Sequence, residues 1–143
     1  MVDEGLTHRL DRIVYGAVAI TNLALAEAAV EVTLPQWRVL VIVGDGENGA
    51  TVSEIAARLG AAVSPASKLV TRLERRGLLV TGKDPVDRRV TRVRLSRDGS
   101  ALRTRVLDCR RDYVRRIIES SGPAPAGAGG YMARLAEAFT AFG

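Results

Sequence analysis

The stretch Thr51–Gly77, TVSEIAARLGAAVSPASKLVTRLERRG, decides the fold. Thr51 and Glu54 have the spacing of a capping box, in which the hydroxyl accepts from the amide three residues on and the carboxylate reaches back. The helix they open turns Ile55, Ala56 and Leu59 inward, and Gly60 ends it, because glycine takes the left-handed conformation without steric cost. Shortly after, Ser64-Pro65 reads as a capping serine with proline at the first helical position. Two short helices joined by a glycine-started turn make a helix-turn-helix. In the second helix Ala66, Leu69, Val70 and Leu73 recur at i, i+3, i+4 and i+7 and should bury. Ser64, Ser67, Lys68, Thr71, Arg72 and Arg75 fall on the opposite side; all can donate hydrogen bonds and none is acidic, with Glu74 toward the edge of that face. A solvated face would normally mix both signs. Ser67 and Lys68 suit base edges in a major groove, and Thr71, Arg72 and Arg75 suit phosphates.

Downstream, Leu78–Thr81 and Val90–Leu95 are expected as strands, the second with Thr91, Val93 and Leu95 on one face and Arg92 and Arg94 on the other. The connection 82–89 is polar, basic and turn-forming. A hairpin with a charged tip directly after a helix-turn-helix is a wing. Ser96 can cap a long helix from about Arg97 to Glu119, striped by Leu102, Val106, Cys109, Tyr113 and Ile117. Residues 120–130 are small, Pro- and Gly-rich, and read as a loop before a last helix, Tyr131–Phe142, with Met132, Leu135, Phe139 and Phe142 on one side.

Upstream, Thr33-Leu34-Pro35-Gln36 opens a helix that should bury Trp37, Leu40, Val41 and Val43, and residues 44–49 read as a loop. A first helix is expected from about Leu6 to Val30, with Leu6, Leu10, Ile13, Ala17, Ile20 and Ala24 on one stripe. So apolar a helix has more to bury than one small domain can cover, which calls for a second copy.

Charge is distributed unevenly over the 143 residues. Residues 1–57 hold 3 basic and 8 acidic side chains, residues 58–116 hold 17 and 6, and residues 117–143 hold 1 and 2. A basic middle between acidic ends is the footprint of a polyanion-binding face, although a solvated surface would account for charge alone. Asp3 and Glu4 stand where a secretory signal needs positive charge. The most apolar run, 16–30, is interrupted by Asn22 and Glu27 and falls short of the roughly 20 residues of a membrane span. These features lead to the expectation of a cytoplasmic protein with no membrane partner. The single cysteine, Cys109, excludes an internal disulfide and has packing as its default role.

The wing, Asp84-Pro85-Val86-Asp87-Arg88-Arg89-Val90-Thr91-Arg92-Val93-Arg94-Leu95-Ser96, closely resembles the signature of the multiple antibiotic resistance regulator (MarR) family. Leu69–Leu79 resembles that family's recognition helix and its exit, and Leu34–Leu40 its second helix. The resemblance covers about residues 33–99 in detail. It implies an obligate homodimer with intertwined terminal helices, gripping a pseudo-palindromic operator in double-stranded DNA. It also implies that Arg89 enters the minor groove and that Asp87 orients it, leaving Arg88 for phosphate. A narrow minor groove concentrates negative potential and favours arginine. A local Asp87–Arg89 salt bridge stiffening the turn is compatible with these roles. Many relatives release DNA when a small anionic or aromatic effector binds between the dimerisation helices and the DNA-binding lobe. Trp37 and Tyr113 fit either the lining of such a pocket or ordinary core positions.

Enzyme chemistry has little support. His8 is the only histidine, metal-ligand spacing is missing, and no phosphate-cradling glycine loop follows a strand, so no cofactor is expected. The expected fold is mainly α with a small β-hairpin wing. A winged helix-turn-helix lobe (33–96) would be joined to a helical dimerisation region (1–32 and 97–143). The expected function is a sequence-specific transcriptional regulator, a repressor released by a small molecule. Two rivals are an architectural DNA-binding protein with little sequence preference and a winged helix used for protein contacts.

Overall fold

Two capping boxes set the start of the lobe. In the computed structural model, which describes residues 1–28 and 31–142, Thr33 accepts from the Gln36 amide at 3.3 Å while the Gln36 side chain accepts from the Thr33 amide at 3.1 Å. Thr51 and Glu54 repeat the pattern at 3.1 and 2.8 Å. They open α2 (Leu34–Asp45) and α3 (Val52–Leu59), which follow α1 (Glu4–Glu27). Next come α4 (Val63–Arg75), β1 (Leu79–Lys83), β2 (Thr91–Leu95), α5 (Arg97–Ser120) and α6 (Ala128–Phe142). The architecture is mainly α with one β-hairpin, as expected.

The turn between α3 and α4 closes on Gly60, whose φ is 66°. Its amide and that of Ala61 donate to the carbonyls of Ala57 and Ala56 at 3.1 and 3.0 Å. This pairing satisfies two of the carbonyls that a helix end orphans. α4 ends in the same way at Gly77, with Leu78 donating to Leu73 at 3.0 Å and both leucines buried.

Several boundaries differ from the sequence reading. α4 begins at Val63, not at Ser64; Ala62 is the N-cap and no side chain caps it. Ser64 and Pro65 therefore occupy the second and third helical positions. Proline is harmless there, because the first intrahelical bond is donated by Ala66, to the Ala62 carbonyl. α2 continues through Gly44 and Asp45, where the glycine count predicts a loop. It buries Val39 and Ile42 besides Trp37, Leu40 and Val43, while Val41 is only half-buried. The buried face is wider than the sequence predicts because α3, α4, α5 and β2 all pack on this helix, leaving open the side that carries Pro35, Arg38 and Asp45. The strands pair antiparallel from Leu79 opposite Leu95 to Lys83 opposite Thr91, so the hairpin loop is 84–90. α6 starts three residues before Tyr131. The expected first helix stops at Glu27, and the expected end at Val30 lies outside the described residues.

The core runs through Leu40, Ile55, Leu73, Leu79, Val93 and Val106, all buried. Ser96 caps α5 by accepting from the Gly99 amide at 2.9 Å. Away from this lobe the apolar stripes lie open. α1 buries Thr21, Ala24 and Leu25 but leaves Ile13 60% exposed, and α6 buries no residue and leaves Phe139 51% exposed. The stripe of α5 is buried at Leu102 and Val106, half-buried at Cys109 and Tyr113, and exposed at Ile117. Among the described residues no helix is long and apolar enough to cross a membrane.

Candidate nucleic-acid interface

α4 buries Ala66, Val70 and Leu73 and presents Ser64, Pro65, Ser67, Lys68, Thr71, Arg72 and Arg75 outward. The Thr71 hydroxyl donates to the Ser67 carbonyl at 3.0 Å, a back-bond that fixes its rotamer and aims its methyl group and lone pairs. Glu74, the one acid of this helix, accepts from the Thr81 hydroxyl of β1 at 2.7 Å. That bond holds the carboxylate against the hairpin. Arg76 donates to the Glu31 carbonyl at 2.6 Å and is thereby tied to the segment ahead of α2.

The wing is stiffened by two acid–arginine pairs. Asp84 accepts from the Val86 and Asp87 amides at 2.8 and 3.0 Å, the geometry of an Asx turn. Its other oxygen takes the Arg92 Nε. The Arg92 guanidinium, aided by those two amides, pulls the Asp84 carboxyl from its ordinary 3.8 to about 2. Arg92 also approaches Glu54 of α3 at 3.9 Å, so the wing is strapped to the helix-turn-helix. Asp87 accepts from Arg89 three times: from Nε at 3.2 Å, from a terminal nitrogen at 3.4 Å and from the amide at 3.1 Å. The Arg89 side chain, with its amide, holds the Asp87 carboxyl below the usual carboxylate range. The Arg89 side chain remains 92% exposed. Arg88 is exposed and has no acid partner among the described residues.

The structure thus brings the recognition-helix donors to one outward face and the wing residues to one tip. Sequence reasoning missed the Asp84–Arg92 strut. Its signal was the Asp-Pro pair, which marks an Asx turn but cannot name a partner on the next strand. It also misses Val63, 53% exposed in the first turn of α4, because Ser64-Pro65 has the pattern of a cap followed by the first helical position. Trp37 is buried, and it lines a cavity together with Arg38, Arg58 and Arg110. Tyr113 instead donates its hydroxyl to Glu27 at 2.8 Å, joining α5 to α1, and that bond raises its pKa.

Comparison with known proteins agrees with this geometry. The model of the MarR family matches residues 31–90. The HTH-type transcriptional repressor IacR of Pseudomonas putida is 35% identical over 91 residues, covering 63% of this chain and 53% of that protein. The chain spans about half the length of the curated relatives it matches. The crystal structure of RV1404 from Mycobacterium tuberculosis superposes with a TM-score of 0.77 at 29% identity, covering 100% of this chain and 95% of that one. CouR from Rhodococcus jostii RHA1, solved bound to p-coumaroyl-CoA, shares the fold with a TM-score of 0.75 at 24% identity, covering 95% and 92%. Over residues 31–90 the chain matches the MarR family, and its fold is that of the MarR winged-helix structures.

Proposed function

We propose that the protein is a homodimeric, sequence-specific regulator that represses transcription and leaves its operator when a small molecule binds. The observation that carries this reading is the pairing of two exposed donor surfaces on one lobe. The outward face of α4 from Ser64 to Arg72 holds no acid, and both acids of the wing tip are engaged by arginines. Ser67 and Lys68 would approach base edges in the major groove, with Ser64 and Pro65 at the DNA-facing start of the helix, and Thr71, Arg72 and Arg75 the flanking phosphates. Arg89 would enter the minor groove, oriented by Asp87, while Arg88 meets phosphate.

Residues 33–96 form the DNA-reading lobe in this reading, and residues 1–32 and 97–143 the dimerisation region. The open apolar stripes of α1, the end of α5 and α6 supply surface that a second copy would cover. Two recognition helices would then fall about one helical turn, roughly 34–36 Å, apart on one face of the DNA. Effector control is supported by the cavity beside Trp37 and by a fold relative crystallised with a small ligand.

Footprinting on DNA upstream of the protein's own gene tests the reading. A protected pseudo-palindrome is expected. Diffuse coverage would instead mark an architectural protein, and no protection a winged helix used for protein contacts.

A further inference from the structure

The first turn of α4 departs from the other helix starts. α1, α2, α3 and α5 open on side chains that accept from first-turn amides, those of Asp3, Thr33, Thr51 and Ser96. α4 opens on Ala62, whose methyl group can accept nothing. Residues 61–65 are all exposed, and Ser64 carries the one polar side chain among Ala61, Ala62, Val63 and Pro65. Residues 59–67 hold no charged side chain, although the segment 58–116 around them is dense in charge. Val63 is the largest apolar group of this tip and is more than half exposed.

The tip is held firmly. The Gly60 and Ala61 amides donate to the Ala57 and Ala56 carbonyls, and Arg38 donates across from α2 to the Arg58 carbonyl at 2.9 Å and the Leu59 carbonyl at 3.5 Å. A valine in a helix keeps nearly a single rotamer, and at the first helical position its side chain leans past the helix end. The Val63 methyl groups therefore stand ahead of α4 in a fixed place. An uncapped start with a β-branched apolar side chain in water does nothing for folding, so its use lies outside the fold.

Phosphates offer only charged oxygens. Base edges in the major groove offer donors, acceptors and one apolar group, the thymine 5-methyl. Two alanines and a valine expose far too little surface for a stable protein contact, which takes about 800 Å² per partner. A methyl group is a partner of the right size. We propose that Val63 selects thymine, packing its γ-methyl groups against the 5-methyl of one thymine in each half-site. This rests on the reading of α4 as the DNA-facing helix and adds to it a specificity-determining residue and the base it selects. Ser67 lies one helical turn on from Val63 and on the same side, so its hydroxyl would address an adjoining base pair.

Operator duplexes in which each thymine in turn is replaced by deoxyuridine test the proposal, because deoxyuridine lacks the methyl and keeps every hydrogen-bonding group. Wild type should lose about fourfold in affinity at one thymine of each half-site, the worth of one buried methylene. Val63→Ala should bind the unmodified operator about fourfold or more weakly and be indifferent to deoxyuridine at that position, since the two changes remove the same contact. Its affinity for unrelated duplex and its salt slope should stay those of wild type, because no charge is lost. Should Val63→Ala not fold, Val63→Ser removes the same methyl groups with a residue suited to helix starts and carries the same expectation. A wild type that binds the operator and ignores deoxyuridine at every position overturns the proposal and leaves the DNA reading standing. A variant that keeps the full deoxyuridine penalty does the same, since another side chain then holds the methyl. A wild type that binds no DNA refutes the DNA reading and the proposal with it.

Discussion

Asp87 grips Arg89 through both carboxylate oxygens and through the Arg89 amide, at 3.1–3.4 Å, yet leaves the arginine side chain almost wholly exposed. An arginine this exposed would ordinarily sample many rotamers, and its partner restricts them before DNA is met. Arg89→Ala should therefore weaken operator binding by about 1–3 kcal/mol, roughly 5- to 150-fold. Asp87→Asn, which keeps the size but loses the charge-assisted fork, should weaken it less. Quantitative binding to the footprinted site checks both, and an Arg89→Ala protein that binds as tightly as wild type would remove the wing from the interface.

Arg88, which lacks an acid partner among the described residues, should behave differently. A phosphate contact releases a counterion, so Arg88→Ala should lower the slope of log affinity against log salt by about 0.9. The loss should be similar on operator and unrelated duplex. A change in sequence preference with an unaltered salt slope would assign Arg88 to the bases instead.

The Asp84 strut makes the wing sensitive to acid. Its folded pKa, about 2, lies below the ordinary 3.8, so the unfolded state binds the proton more readily. The stabilisation is present above the ordinary value and is lost as pH falls through the folded one. Wing order should thus be constant from neutral pH to about 4 and fade between about 4 and about 2. Carboxyl NMR titration of Asp84 would refute the strut by giving a midpoint near 3.8, and Asp84→Asn should abolish that pH dependence of hairpin amide exchange.

The open stripes predict assembly. Ile13→Asp or Phe139→Asp would place a charge among apolar side chains that a second copy covers, where an unpaired charge is strongly disfavoured. Sedimentation should show wild type as a dimer and these variants shifted to monomer, with operator affinity falling in parallel. A wild-type chain that sediments as a monomer at micromolar concentration would refute the dimer.

Much of this fold was legible in the sequence. Thr33 with Gln36, Thr51 with Glu54 and Ser96 with Gly99 are caps whose partners lie three residues apart, and backbone geometry alone brings such groups together. Gly60 and Gly77 marked helix ends for the same local reason, and the Asp87-x-Arg89 spacing fitted a fork within one turn. Tertiary structure decided what distant residues do. The start of α4 moved to Val63 because the Gly60 turn delivers the chain in helical conformation one residue before Ser64, and proline is tolerated anywhere in a first turn. Arg92 found Asp84 and Glu54 because strand pairing and packing brought them together. Arg38 reached the α3 carbonyls by the way α2 packs against α3. Hydrophobic period told which faces of α1 and α6 are apolar and that α1 has more to bury than one small domain covers, but only the packed chain showed which positions its own core leaves open, since burial depends on what lies opposite and not on the sequence of the helix itself.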